Sequence, residues 1–277
     1  MKTKKLFKLV ALLICAAFLL PVVLACGEKP EEKATATEEA IEPTTPAPTP
    51  APTEPPPPTE PPTTEAPIPP YEPDPKLSYW ENIEAELAHY GLSGGVKCLP
   101  GEDEAALMKR FAAGNAKKAE LDVSGDNVPF TAAYSVTVAK DQNNFWEASY
   151  NCALEKDLKV EEGDLVAGVI WIRGKRLAET DQFAEDEPPR YYMALKTATD
   201  NWGSEGGVEP AREQVPEAEW QKIFFYGNVV NEESNSRNLQ FQIFLGYGNQ
   251  QVDFGGIIAF LYPWSKENEK AAIKLTF

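Results

Sequence analysis

Gly91-Leu92-Ser93-Gly94-Gly95 carries the letters of G-x-S-x-G, the turn that lifts a nucleophilic serine between a strand and a helix in α/β-type hydrolases. That chemistry needs an imidazole within hydrogen-bond reach of the hydroxyl and a chain that enters the turn from a strand. Here the apolar spacing before Gly91 is helical, and the chain's one histidine, His89, stands upstream of the serine. The five residues therefore read as a glycine-rich turn and His89 as a solvated helix residue. With 1 His in 277 residues, a His-based triad or a His-rich metal centre is hard to build. Carboxylates are numerous enough for a structural calcium, but no D-x-D-x-D-G loop is present, and no other cofactor is expected.

A different chemistry is better supplied. Sugar recognition uses flat aromatic faces against the C–H surface of a pyranose, flanked by planar polar groups that bond its hydroxyls. Strand alternation offers such groups. If Leu239, Phe241, Ile243 and Leu245 face a core, then Gln240, Gln242 and Phe244 face away from it. If Val166, Ile170 and Ile172 are buried, Trp171 and Arg173 point outward together. Trp146 and Tyr150 make a further same-face pair, and Tyr247 lies just past a strand end. Trp202 sits in the polar loop Asp200-Asn201-Trp202-Gly203-Ser204, where a side chain can serve as a platform. The candidate ligand contacts are thus Trp146, Tyr150, Trp171, Arg173, Trp202, Gln242 and Tyr247, with core packing as the competing use of each aromatic.

The elements that must position them begin near residue 77. Ser78 and Glu81 have the spacing of a capping box, and Trp80, Ile83, Leu87 and Tyr90 recur at helical intervals up to Gly91. A second helical stretch covers 104–111. From there the period changes to two. Tyr134, Val136 and Val138 alternate with Ser135 and Thr137, and further β-type runs occupy 165–173, 191–196, 220–226, 239–245 and 252–262. Strands in series, separated by Gly, Asn, Asp and Pro rather than by helices, predict an all-β antiparallel sandwich over 77–277.

What precedes this domain is of another kind. Lys2, Lys4, Lys5 and Lys8 open a basic start, an apolar run follows to residue 20, and Pro21 breaks it before Val22-Val23-Leu24-Ala25-Cys26. That string resembles a bacterial lipobox, which implies a signal peptide over 1–25 and a lipidated Cys26 holding the protein outside the cytoplasm on the cell membrane. Ordinary secretion, with Cys26 a bystander, is the alternative. Removing 1–25 takes away four Lys and no acid, so the formal charge moves from −17 to −21, which disfavours any nucleic-acid partner. Of the 25 prolines, 17 fall between 30 and 75, and the rest of that segment is largely Thr, Glu and Ala. Residues 26–76 cannot bury enough apolar area to offset the entropy of ordering, so they read as a disordered, partly polyproline stalk with a reach on the order of 150 Å. In an exported domain Cys98 and Cys152 are permitted to bridge, or to remain two buried thiols.

The runs Leu239–Tyr247 and Gln250–Ile257, rich in Gln, Gly and aromatics, resemble the last two strands of a carbohydrate-binding-module jelly roll. Pro129-Phe130-Thr131-Ala132-Ala133, Phe145-Trp146-Glu147, Glu162-Gly163-Asp164-Leu165, Trp171-Ile172-Arg173 and Glu219-Trp220-Gln221-Lys222 follow in an order similar to the non-catalytic domain that precedes some family 10 xylanases, a relative of the family 4, 9 and 22 modules. The resemblance covers about 105–263. It implies a galactose-binding-like jelly roll whose partner is a polysaccharide, xylan or a related β-glycan. The barrel and paired carboxylates of a family 10 xylanase have no counterpart, since 14 residues follow Pro263, and no enzymatic activity is expected. The rival expectation is a structural or protein-interaction lipoprotein whose sugar face is degenerate. The sequence sets no oligomeric state.

Overall fold

The computed structural model describes residues 68–139, 142, 144–179, 184, 187–197, 204–215, 219–229 and 239–276. The signal segment, Cys26, most of the proline-rich stalk and Trp202 lie outside them.

Helix α1 (Tyr79–His89) begins as its sequence requires. Ser78 Oγ accepts from the Glu81 N–H at 3.3 Å and Glu81 Oε2 accepts from the Ser78 N–H at 2.8 Å, satisfying two otherwise orphaned donors. Ile83 and Leu87 are buried at helical spacing, contributing about 1.5–3 kcal/mol each to docking. The end is set by Gly91, at φ 105°, a conformation costly for any residue with a Cβ. Tyr71 and Asp74, from the end of the segment read as stalk, are tied to Asn82 of this helix, through the Tyr71 hydroxyl at 3.2 Å and the Asp74 N–H at 2.7 Å.

Eleven strands follow among the described residues: β1 (Val96–Lys97), β2 (Ala112–Gly114), β3 (Lys117–Leu121), β4 (Ala133–Val138), β5 (Ser149–Ala153), β6 (Leu165–Arg176), β7 (Arg190–Thr197), β8 (Ser204–Gln214), β9 (Gln221–Asn228), β10 (Leu239–Phe244) and β11 (Gln250–Tyr262). Helix α2 (Glu104–Arg110) lies before β2, and α3 (Lys266–Thr276) closes the chain. Every pairing is antiparallel, in the order β2-β5-β10-β7-β8-β9-β6-β11-β4-β3, with β1 also on β11.

That ribbon folds into two layers. β8 pairs with β7 on one side and β9 on the other, so it belongs to both. At the opposite edge β2 joins β5 while β3, two residues later, joins β4. Val136, Ile170, Ile172, Val252 and Phe254 of one layer meet Tyr150, Met193, Leu195, Phe241 and Ile243 of the other in a single buried cluster. This is the antiparallel sandwich that the alternating runs predict.

The layer containing β6 and β11 is covered on its other side too. Leu165, Ala167 and Val169 of β6 and Ile258, Phe260 and Tyr262 of β11 pack beneath Ile83 and Leu87 of α1 and Ala271 and Ala272 of α3. The near-continuous apolar run of β6 reflects burial on both faces. The turn 91–95 joins this cover, because Ser93 donates its N–H to Asn268 Oδ1 of α3 at 2.9 Å and accepts from Asn268 Nδ2 at 3.2 Å. His89 instead contacts the Pro69 carbonyl at 2.8 Å through Nε2 and is exposed. The letters of the nucleophile elbow are a helix end docked on another helix.

Cys98 and Cys152 are free thiols, both buried in the main cluster. Burial pushes the Cys152 thiol up to about 12 and also raises that of Cys98, so neither supplies a reactive thiolate. Peptides bearing these residues should map identically with and without reductant, and both thiols should resist iodoacetamide until the chain unfolds. A Cys98–Cys152 cross-linked peptide would contradict this.

Candidate carbohydrate-binding face

The two parity arguments lead to opposite sides of the sandwich. On β6, Trp171 and Arg173 do point away from the main core, as their alternation requires, but they point under a cover. Phe130, from the segment between β3 and β4, packs on Trp171 at 5.9 Å and edge-on to Trp220 at 5.1 Å. Tyr79 of α1 closes the other side, donating its hydroxyl to the Gly256 carbonyl at 2.6 Å, and burial drives its phenol well above the usual tyrosine range. The register of β11 against β6 shifts between Gly255 and Ile258, and a Cβ at Gly255 would stand 2.2 Å from the Phe130 ring. The bulge and its glycines make room for these aromatics.

Arg173 is equally engaged. Its Nε lies 3.1 Å from Asp253 Oδ2 and its guanidinium 3.1 Å from Asp126 Oδ2. It also stacks over the Trp220 ring at 4.6 Å, while Trp220 Nε1 donates to the same Asp126 oxygen at 2.7 Å. The guanidinium thus has Nε and one terminal nitrogen engaged with carboxylates inside the protein and one face on an aromatic ring. Trp171 and Arg173 are therefore parts of a small second core, and Trp171 also borders a cleft of about 350 Å³ that Tyr71, Tyr79, Pro129 and Lys222 line. Sequence parity fixes direction, whereas exposure depends on what packs on that face.

Tyr150 is also displaced from its expected place. It is 0% exposed, stacked between Phe111 at 4.7 Å and Phe254 at 5.0 Å, and burial raises its phenol far above the usual range. Trp146 does not share its face, because residues 145–147 form a 3-10 turn that breaks the alternation before β5 begins. Trp202 falls outside the described residues.

The other layer keeps its outward side uncovered by any described helix. Across β5, β10 and β7 its outward positions form three rows: Ser149, Phe244 and Tyr192; then Asn151, Gln242 and Ala194; then Ala153, Gln240 and Lys196. The amides are pre-oriented by their neighbours, with Gln242 Nε2 donating to Gln240 Oε1 at 3.0 Å and Asn151 Nδ2 to Ser149 Oγ at 3.1 Å. Each retains further donor or acceptor capacity, since a primary amide carries two N–H groups and a carbonyl. Ala194, in the middle row, is fully buried beside Gln242.

One end of these rows is aromatic. Tyr192 and Phe244 stack at 5.9 Å, Phe145 stands edge-on to both at 5.6 and 5.7 Å, and Tyr247 stacks on Phe145 at 5.4 Å. Trp146, edge-on to Phe145 at 5.0 Å, is 42% exposed and is the outermost ring of the group. The turn that carries it lies against Gly246, where a Cβ would come within 2.7 Å of the Asn144 and Phe145 carbonyl oxygens. Of the sequence candidates, Trp146, Gln242 and Tyr247 are thus brought to one surface. Asn151, Tyr192, Gln240 and Lys196 join them, and the strand period of β5 and β7 would have pointed to three of these once pairing with β10 was known. Among the described residues no group of three or more His, Cys, Asp and Glu side chains is gathered as a metal site.

No protein-family model matches the sequence, and no curated protein matches it. Among solved structures the chain is similar to the CBM22-1 xylan-binding domain of Xyn10C from Paenibacillus barcinonensis, at 12% identity over 62% of this chain and 99% of that one, with a TM-score of 0.41. The second N-terminal cellulose-binding domain of Cellulomonas fimi β-1,4-glucanase C is similar at 13% identity over 63% of this chain and 99% of that one, TM-score 0.36. A cyclase from Fischerella is similar at 14% identity over 56% and 75%, TM-score 0.34. Likeness at this level spans proteins of different activity and places no ligand on this chain; the sandwich follows from the strand pairing itself.

Because Trp171 packs on the Phe130 and Tyr79 rings, Trp171→Ala should cost about 3 kcal/mol of stability, as truncation of a largely enclosed aromatic does. Chemical denaturation of the full chain measures it. A variant as stable as the parent would mean that the cover over β6 is not closed.

Proposed function

We propose that the domain is a non-catalytic polysaccharide-binding module and that its ligand lies on the outward face of β5, β10 and β7. The observation that carries this reading is the juxtaposition of the Asn151–Gln242 amide row with the aromatic end at Trp146. Trp146 supplies a flat apolar surface for a ring, and the amides supply donors and acceptors at a spacing set by the strands. The resemblance of 105–263 to modules that accompany family 10 xylanases supports xylan or a related linear β-glycan as the ligand class. The proline-rich segment would act as a spacer and Cys26 as a lipid anchor, so that many copies on one surface could hold a polymer through weak individual contacts.

Stacking of a planar group on an aromatic side chain is worth about 1–3 kcal/mol by alanine substitution in the comparable case of nucleobases. Trp146→Ala should therefore weaken binding of xylohexaose roughly tenfold or more, and Gln242→Ala by a similar factor, with melting temperatures unchanged because neither side chain fills the core. Titration calorimetry beside thermal melts reads both quantities. Glycan affinity that is insensitive to both substitutions would remove the face from the account. Absence of binding to xylan, mixed-linkage glucan and cellulose oligomers alike would leave the protein-interaction reading in its place.

The anchoring part of the proposal has its own check. Cys26→Ser should release the protein from the membrane fraction of the producing cell, and a variant still retained there would refute it.

A further inference from the structure

Away from that face, two large apolar side chains among the described residues are more than half exposed, Trp264 at 55% and Val96 at 51%. They belong to one end of the second layer: Val96 of β1 pairs with Leu261 near the end of β11, and Trp264 follows two residues after β11 closes. Next to Trp264 a cleft of about 280 Å³ opens, lined by Val96 and Pro263 on its apolar side and on its polar side by Asp164 and by Lys159 and Glu161, which form an ion pair with each other. Its size is at the small end of the range for small-molecule sites.

Trp264 is fixed in place. Its backbone N–H donates to Asp164 Oδ1 at 3.3 Å, and the other oxygen of that carboxylate accepts from the Glu161 N–H at 2.8 Å. The indole lies against Gly163, where a Cβ would be 3.5 Å from its Cγ and Cδ1. Gly163 itself sits at φ 86°, so glycine is required there by backbone conformation, and its N–H is held by the Val229 carbonyl at 2.6 Å. One side of the ring is thus backed by main chain while the rest faces water. An immobilised indole loses little side-chain entropy when a ligand stacks on it.

We propose that this rim is a second sugar-contacting site, accepting one pyranose ring with its C–H face on Trp264 and its hydroxyls toward the exposed Lys159–Glu161 ion pair. Such a ring matches an exposed indole beside charged hydrogen-bonding groups. A stable protein interface would need some 20–30 residues a side, and the apolar exposure here is confined to two side chains. The inference takes its ligand class from the proposed function, but not its residues. Residues 154–164 join the end of β5 to the start of β6, so this rim is at the Ala153 end of the sandwich, whereas Trp146 and Tyr247 stand at the Ser149 end. Two contacts at opposite ends would let one domain hold two segments of a polymer.

The test is titration of the full chain, labelled at its tryptophan indole nitrogens, with xylohexaose and with cellohexaose, the Trp146 and Trp264 signals being assigned through phenylalanine variants. Both signals should move, with separate saturation, and Trp264→Ala should lower retention on insoluble polysaccharide about tenfold while leaving thermal stability and the Trp146 titration unchanged. Movement of Trp264 alone would uphold this site and defeat the face on β5, β10 and β7. Movement of Trp146 alone would overturn this site and leave the proposed function standing, and movement of neither would overturn both. A concentration-dependent mass in sedimentation that Trp264→Ala abolishes, without any sugar-induced shift, would assign the patch to self-association and likewise overturn the proposal.

Discussion

The middle of the second layer has no water-facing side, and the architecture follows from that constraint. β6 and the second half of β11 bury side chains in both directions: Val166, Ile170 and Ile172 meet the opposite layer, and Leu165, Ala167 and Val169 meet the helices. Exposing the second set would forfeit about 1.5–3 kcal/mol for each large aliphatic side chain, so α1 and α3 are structural necessities. The same demand draws in Phe130, Trp171 and Trp220, and it commits Arg173 to Asp126 and Asp253. The proposed ligand face, the outward side of β5, β10 and β7, lies on the other layer.

That surface is built for weak, directional contacts. Its amides are held by one another and by Ser149, which limits the rotamer entropy lost on binding. Its rings brace each other, Phe145 acting as the hub between the Tyr192–Phe244 stack and Tyr247, so that Trp146 is presented from a rigid base on a short turn. Lys196 lies 5.3 Å from the Phe244 ring and borders the face at its polar end. An overall charge of −17 over the full sequence makes a polyanionic partner a poor match, and a neutral glycan avoids that repulsion.

Much of the fold is legible in the sequence where one period runs uninterrupted. The capping box of α1, the alternation of β4 and the inward set of β10 all appear as the residues alone suggest. Alternation also gives the directions of Gln242 and Trp171 correctly. It cannot say what surrounds each of these two half-buried side chains, because Trp171 meets Phe130 and the α1 residue Tyr79, both remote in sequence. Tyr150 departs from its expected face for a local reason: the 3-10 turn at 145–147 resets the phase between Trp146 and β5. β8, with the sequence SEGGVEPAREQ, has neither apolar alternation nor strand-forming composition and is held as a strand by pairing on both sides. Helix α3, rich in Lys and Glu, shows few apolar positions and owes its place to Ala271 and Ala272 against the β6–β11 face.

The central claim is that glycan binds the outward face of β5, β10 and β7 and not the opposite side, where Trp220 and Arg173 are engaged with Phe130, Asp126 and Asp253. Paramagnetic broadening by a spin-labelled xylohexaose tests it in a single measurement on the side-chain resonances of the full chain. The amide groups of Asn151, Gln240 and Gln242 should broaden strongly, and the Trp220 indole and Arg173 guanidinium should keep their line widths. Broadening centred on Trp220 and Arg173, with the three amides unaffected, would contradict the account.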